Sequence, residues 1–297
     1  MKDKNDRKTD GPGMVMIQGC TSNAGKSTIT TALCKIYSDK SLKVAPFKAW
    51  NMGLNSALTS NGGEIGVAQF VQAKAAGIEA DVDMQPLLVK PKSKGKTELI
   101  VRGKPYYKKD KIEKEDYLEM GMNVIKNSLN KLQEKYEVLV LEGSGSPVEI
   151  NVKDKDLANM KTALLHKTPV ILVADIERGG VFASIIGTME LLEPEERDLI
   201  AGFIINKFHG DSSVLKSAIN YLEKRTAKPV LGVMPYINDI YLPEEDTIAL
   251  TQEEISDFQS KKENDSENKN LEESFIKLEK IFKENIDLEK IDNIIFG

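Results

Sequence analysis

Two cysteines, Cys20 and Cys34, and two histidines, His166 and His209, are all that the 297 residues contain. A single pair of cysteines builds no disulfide framework and fits a reducing compartment. These four residues also lack the close spacing of a zinc site. Long apolar runs are missing as well: charged residues interrupt every hydrophobic window short of the roughly 20 residues that span a bilayer. The opening segment, MKDKNDRKTDGPG, lacks the apolar core of a secretion signal and reads as a disordered leader over 1–13. The cytoplasm is the default location, without a membrane partner.

An excess of charge is nearly absent too. Against 46 acidic side chains stand 41 basic ones, a net of −5. The last segment, Thr251–Gly297, holds 13 acidic and 7 basic residues, so everything before it is close to neutral at +1. Nothing in that balance asks for nucleic acid. With 40% apolar and 29% charged residues, the composition is that of an ordinary globular chain.

What is present is a series of short, continuously apolar runs: Val15–Ile17, Val44–Phe47, Val138–Leu141, Val170–Val173, Phe203–Ile205 and Val230–Val233. Continuous rather than alternating hydrophobicity requires burial on both faces, as in a parallel sheet between helices. The expected fold is α/β: a P-loop NTPase-like, doubly wound, mostly parallel sheet with helices on both faces, spanning 14–250. Each run stops at a polar or glycine-bearing turn, where ligands of such sheets gather. Beyond it, 251–270 reads as a polar linker, since Gln259–Asn270 has no apolar residue. Leu271, Phe275, Leu278, Phe282 and Ile286 then recur at steps of four and three, which predicts an amphipathic helix over 271–297.

Between the first run and a helical stretch lies Gly19-Cys20-Thr21-Ser22-Asn23-Ala24-Gly25-Lys26-Ser27, followed by Thr28. This is a P-loop with one residue more than usual between its first glycine and Gly25-Lys26-Ser27. Its backbone N–H groups and the helix N-terminus cradle phosphate, Lys26 reaches the β- and γ-phosphates, and the Ser27 hydroxyl ligates Mg²⁺. Glu142, ending the third run, is the expected second Mg²⁺ ligand. Asn206, after the fifth run, is placed to bond an adenine edge or to cap a turn. The cofactors implied are ATP and Mg²⁺.

Seven blocks in order carry a family resemblance: MIQGCTSNAGKS, VAPFKAWNMGLNS, GGEIGVAQFVQAKAAG, LEGSGSPVEIN with KDKDLANM, VILVADIERGGVFASIIGT, GFIINKFHGD, and KPVLGVMPY with LPEED. Residues Met16 to about Asp246 resemble the ATP-dependent amidating domain of the cobyric acid synthase family, a relative of cobyrinate a,c-diamide synthase and dethiobiotin synthetase. The resemblance implies a carbon–nitrogen ligase that amidates peripheral carboxylates of a corrinoid, cobyrinic acid a,c-diamide, by way of an acyl phosphate and ammonia. It places Lys48 on the substrate side with Lys26 and Glu142 as catalytic groups. It also implies a corrinoid-facing set of Asn51, Asn55, Glu64, Gln69, Lys90, Asp175 and Arg178, with Glu149, Asn151 and Asp154 orienting the metal shell.

The chain departs from the pattern in three places. Cys20 replaces a threonine in the loop, and Trp50 replaces the glutamine of PFK-x-QNM, where an indole offers no acceptor. The glutaminase half with its cysteine and histidine is the third difference. The expected ammonia source is therefore the free pool or a separate glutaminase subunit, unless the chain is a fragment or a degenerate copy. A homodimer is a further expected partner. Two other functions fit a P-loop: a nucleotide switch of the partitioning type, and an inactive paralogue.

Overall fold

The computed structural model describes residues 11–92, 96–107, 114–240, 242 and 265–297. Its central sheet holds six parallel strands, β1 (Gly13–Gly19), β2 (Val44–Phe47), β9 (Val138–Glu142), β10 (Val170–Asp175), β11 (Ile200–Phe208) and β12 (Val230–Pro235). Their spatial order is β12-β11-β10-β1-β9-β2. These are the six apolar runs of the sequence. Side chains of one strand alternate between two cores: Met14 and Met16 enter one apolar cluster, Val15 and Ile17 the other. Helices α1 (Lys26–Asp39) and α2 (Val67–Ala75) cover the second face. On the first lie α3 (Lys114–Gln133), α4 (Met160–Leu165), α5 (Val181–Leu191) and α7 (Lys216–Thr226), and the short α6 (Pro194–Asp198) leads into β11. The mostly parallel, doubly wound α/β sheet is thus the fold of the chain.

The second face is closed by the end of the chain, α8 (Asp265–Asn285) and α9 (Leu288–Phe296). All five residues of the predicted stripe are buried there. The boundaries differ from the sequence reading in two ways. First, the helix starts at Asp265, six residues inside the predicted linker. A polar stretch without glycine or proline joins a helix already nucleated by packing, because propagation is far cheaper than nucleation. Secondly, 271–297 is two helices. Ile286 bridges Gly232 of β12, and the Asp287 amide donates to the Leu231 carbonyl at 2.8 Å. The Asp287 carboxylate then caps the new helix by accepting from the Lys290 amide at 3.1 Å. Gly232 allows this close approach, since an added Cβ would lie 2.2 Å from the Asn285 carbonyl oxygen. Residues 1–10 of the leader, 251–264 of the linker and 243–250 at the predicted domain end lie outside the described residues.

Six further strands, which hydrophobic patterning did not suggest, rise from the carboxyl end of β2. β3 (Trp50–Met52), β6 (Leu87–Pro91), β7 (Thr97–Val101) and β8 (Lys104–Pro105) form a small sheet, and β4 (Ser56–Leu58) and β5 (Glu64–Gly66) an antiparallel pair. Strands of two to five residues are too short for a period to show. The extension is pinned by Asp83, buried just before β6. Its carboxylate accepts from Arg102 Nε at 2.7 Å and Nη2 at 2.9 Å, and from Ser128 Oγ of α3 at 2.6 Å. Burial works to raise its pKa, but these donors hold the carboxyl below its ordinary range.

Two outcomes follow for stability. Phe282→Ala, at a fully buried α8 position, should cost about 3–5 kcal/mol in urea-induced unfolding, since little can fill the hole. Asp83→Asn should cost about 1.5–3 kcal/mol at neutral pH, the scale of a charged hydrogen-bond partner. Because the folded pKa is depressed, that stabilisation is complete above the ordinary carboxylate value of 3.8 and is lost as pH falls through the folded one. Unfolding curves of wild type and Asp83→Asn should therefore converge in acid.

Candidate nucleotide-binding site

The loop after β1 lies mid-sheet, flanked by the carboxyl ends of β9 and β10, which is where open α/β sheets bind ligands. Gly25 ends it with φ +98°, a left-handed conformation at the N-cap of α1, and an added Cβ would come within 2.0 Å of Asn206 Nδ2. The far end of β11 braces the same loop: Asn206 Nδ2 donates to the Ala24 carbonyl at 2.9 Å, and Lys207 Nζ to the Asn23 carbonyl at 2.7 Å. Asn206, expected to read a base, is thus also a strut of the phosphate loop.

Lys26 is nearly buried, its ammonium donating to the carbonyl oxygens of Gly145 at 3.2 Å and Thr21 at 3.5 Å. Beside it, Glu142 gathers three donors. Ser27 Oγ donates to its Oε1 at 2.9 Å, Lys48 Nζ to the same oxygen at 3.0 Å, and Gln72 Nε2 to Oε2 at 2.6 Å. Lys48 and Glu142 are only 2% and 1% exposed. Burial alone would raise the Glu142 pKa; the charge and hydrogen bond of Lys48, then Gln72 and Lys26, hold it below the ordinary range. A cleft of about 340 Å³ opens between the loop, Lys48, Trp50, Asn51 and Glu142.

Of the sequence-predicted residues, Ser22, Asn23, Gly25, Lys26, Ser27, Thr28, Lys48, Asn51 and Glu142 border this cleft. Gly19, Thr21 and Ala24 shape the loop behind it. The remaining positions are engaged elsewhere. Gln69 is buried and accepts from Gln85 Nε2 at 2.7 Å. Lys90 pairs with Glu64 at 2.6 Å, and both bond Ser56 in the extension. Asn55 is buried nearby without bordering the cleft. Asp175 turns to Lys207 at 2.9 Å and to the Glu177 amide, and Arg178 is exposed on the following turn. Glu149, Asn151 and Asp154 are exposed as well; the carboxylate of Glu142 is held instead by Gln72, which sequence reasoning passed over. Only its presence in the GGEIGVAQFVQAKAAG block marked it.

Trp50 forms part of the cleft wall, and its indole N–H donates to the Tyr117 hydroxyl of α3 at 3.1 Å, so the ring rather than a polar atom faces the opening. Both cysteines are free and buried. Burial pushes the Cys20 thiol up to about 11 and raises Cys34 further.

Residues 15–248 match the profile described as the CobQ/CobB/MinD/ParA nucleotide binding domain. The chain belongs to that family. Among curated relatives, a cobyric acid synthase of Desulforamulus reducens is 52% identical over 237 residues, covering 80% of this chain and 46% of that protein. Others named cobyric acid synthase are 50% identical over 243 residues in Carboxydothermus hydrogenoformans and 48% over 239 in Dehalococcoides mccartyi, each covering 80% of this chain and 48% of the relative. The chain spans about half the length of the curated relatives it matches. Chloroplast FtsY from Physcomitrella patens is a looser structural likeness, at TM-score 0.44 and 16% identity over 84% of this chain and 65% of that one. Among the described residues, no helix is long and apolar enough to cross a membrane.

The strut role of Asn206 is open to test. Asn206→Ala should weaken binding of a fluorescent ATP analogue about 5- to 10-fold, the equivalent of one lost hydrogen bond that had fixed the loop. Fluorescence titration of the analogue measures it.

Proposed function

We propose that this chain amidates peripheral carboxylates of a corrinoid at the expense of ATP, with cobyrinic acid a,c-diamide as substrate and cobyric acid as product. The observation that carries the reading is a second buried lysine, Lys48, within the phosphate site itself. Transfer of phosphate to a carboxylate brings two anions together and needs positive charge beyond the loop lysine. The names of relatives at about 50% identity support the substrate class.

In this reading the backbone amides of Ser22–Lys26 and the Lys26 ammonium hold the β- and γ-phosphates. Ser27 and Glu142 fit a magnesium ion: they bring two hard oxygens to 2.9 Å at the loop. Among the described residues no cluster of three or more His, Cys, Asp or Glu forms a dedicated cage, and Mg²⁺ characteristically takes one or two protein oxygens plus phosphate and water. When bound, the ion would neutralise charge on the phosphates. Lys48 receives the incoming carboxylate, whose oxygen forms a bond to the γ-phosphorus as the bond to ADP breaks. Ammonia then attacks the acyl carbon, phosphate departs with the carboxyl oxygen, and a proton is lost to solvent. Asn51 and the face of Trp50 wall the side from which the corrinoid enters. The ammonia of this reading is taken from the free pool or from a glutaminase.

Incubation of purified protein with ATP, Mg²⁺, ammonium and cobyrinic acid a,c-diamide is the test. Mass spectrometry should show each converted carboxyl lighter by the difference between OH and NH₂, with stoichiometric ADP. Unchanged corrinoid in the presence of bound ATP would overturn the proposal, and ATP-driven dimerisation indifferent to corrinoid would favour a switch.

A further inference from the structure

Glu142 is gripped on two sides, and the two grips differ in kind. Oε1 faces the phosphate loop and takes the Ser27 hydroxyl and the Lys48 ammonium. Oε2 takes Gln72 Nε2 at 2.6 Å, with Gln72 wholly buried. Gln72 is carried by α2, which packs against α1, the helix that bears Ser27. The bond is therefore set by a helix pair and not by whatever occupies the cleft.

A cation held between Ser27 and Oε1 and the ammonium of Lys48 would compete for one oxygen, and like charges at contact repel strongly in a water-poor site. Were Ser27 and Glu142 to hold Mg²⁺, Lys48 would give up Oε1 and be left to the cleft where an acceptor carboxylate is expected. Glu142 then loses a donor at the moment its geometry matters most. A glutamate side chain ends in a soft torsion that a single hydrogen bond can fix.

We propose that Gln72 is a positioning residue: it holds Oε2 so that Oε1 stays aimed at Ser27 while its cation changes from Lys48 to Mg²⁺. Outer partners of metal ligands have this effect on affinity in general. The carbonyl Oε1 of Gln72 finds no hydrogen-bond partner in the protein among the described residues, so an amide stands at a position that an apolar side chain would fill without an unpaired group. The proposal rests on reading Glu142 as the ion's carboxylate, and binding measurements alone decide it, whatever the corrinoid chemistry proves to be.

The test compares wild type with Gln72→Met, of similar size and without a donor. Affinity for mant-ATP is titrated in EDTA and in Mg²⁺, and Mn²⁺ affinity of the ATP complex is read by electron paramagnetic resonance. In EDTA the two proteins should agree within about twofold, whereas Mn²⁺ affinity and the gain in nucleotide affinity on adding Mg²⁺ should fall about 10-fold or more. Gln72→Asn, which keeps the amide but is one methylene short, should shift the same way if Gln72→Met does not fold. Equal metal-dependent gains in wild type and variant would overturn the proposal. So would an equal loss in EDTA, which marks a structural role, or a wild type whose nucleotide affinity ignores Mg²⁺.

Discussion

A carboxylate sealed from water must be neutralised where it sits, because an unpaired buried charge is among the costliest features a fold can carry. Glu142 meets that requirement by drawing Ser27 from the start of α1, Lys48 from the residue after β2, and Gln72 from α2. Each partner arrives on a different element, so the ends of β9 and β2 and the two helices are fixed relative to one another by one side chain. The pairing of β2 with β9, in register from Val44 opposite Val138 to Phe47 opposite Leu141, delivers Lys48 beside Glu142.

The rest of the site is arranged around that carboxylate. The phosphate loop is held from the opposite side by Asn206 and Lys207, so β11 and β9 clamp it between them. The extension from Trp50 to Pro105 covers the carboxyl end of β2 and turns an open phosphate loop into a cleft. It is tied down by Asp83 to Arg102 and Ser128, and by the Lys48 amide donating to the Met84 carbonyl at 2.8 Å. On the second face of the sheet α8 and α9 seal apolar surface that α1 and α2 leave bare. Tyr37 and Lys40 at the end of α1 both reach Asp292 of α9, while Tyr37 packs edge-on against Phe296.

Much of this was legible in the residues. The six sheet strands announce themselves because burial on both faces demands unbroken Val, Ile and Leu. The phosphate loop is local, so its glycines, Lys26 and Ser27 are visible without knowing the fold. The stripe from Leu271 to Ile286 could be read as a docking face, though neither its polar upstream turn nor its break at Asp287 could. The small strands of the extension stayed hidden, being shorter than any period.

Sequence by itself determined the buried runs and the phosphate loop with Lys26 and Ser27, because each depends on a residue type at a short spacing; Glu142 was singled out by its place at a strand end, and Lys48 by the family resemblance. Tertiary structure alone decided which polar side chains meet. Gln69 and Gln72 stand three residues apart on one helix, yet one faces Gln85 and the other Glu142. Lys90 is spent on Glu64, and Asp175 on Lys207. Hydrophobic patterning says that a face is buried and nothing of what lies opposite; that is set by strand order, helix rotation and the requirement that every buried charge find its partner.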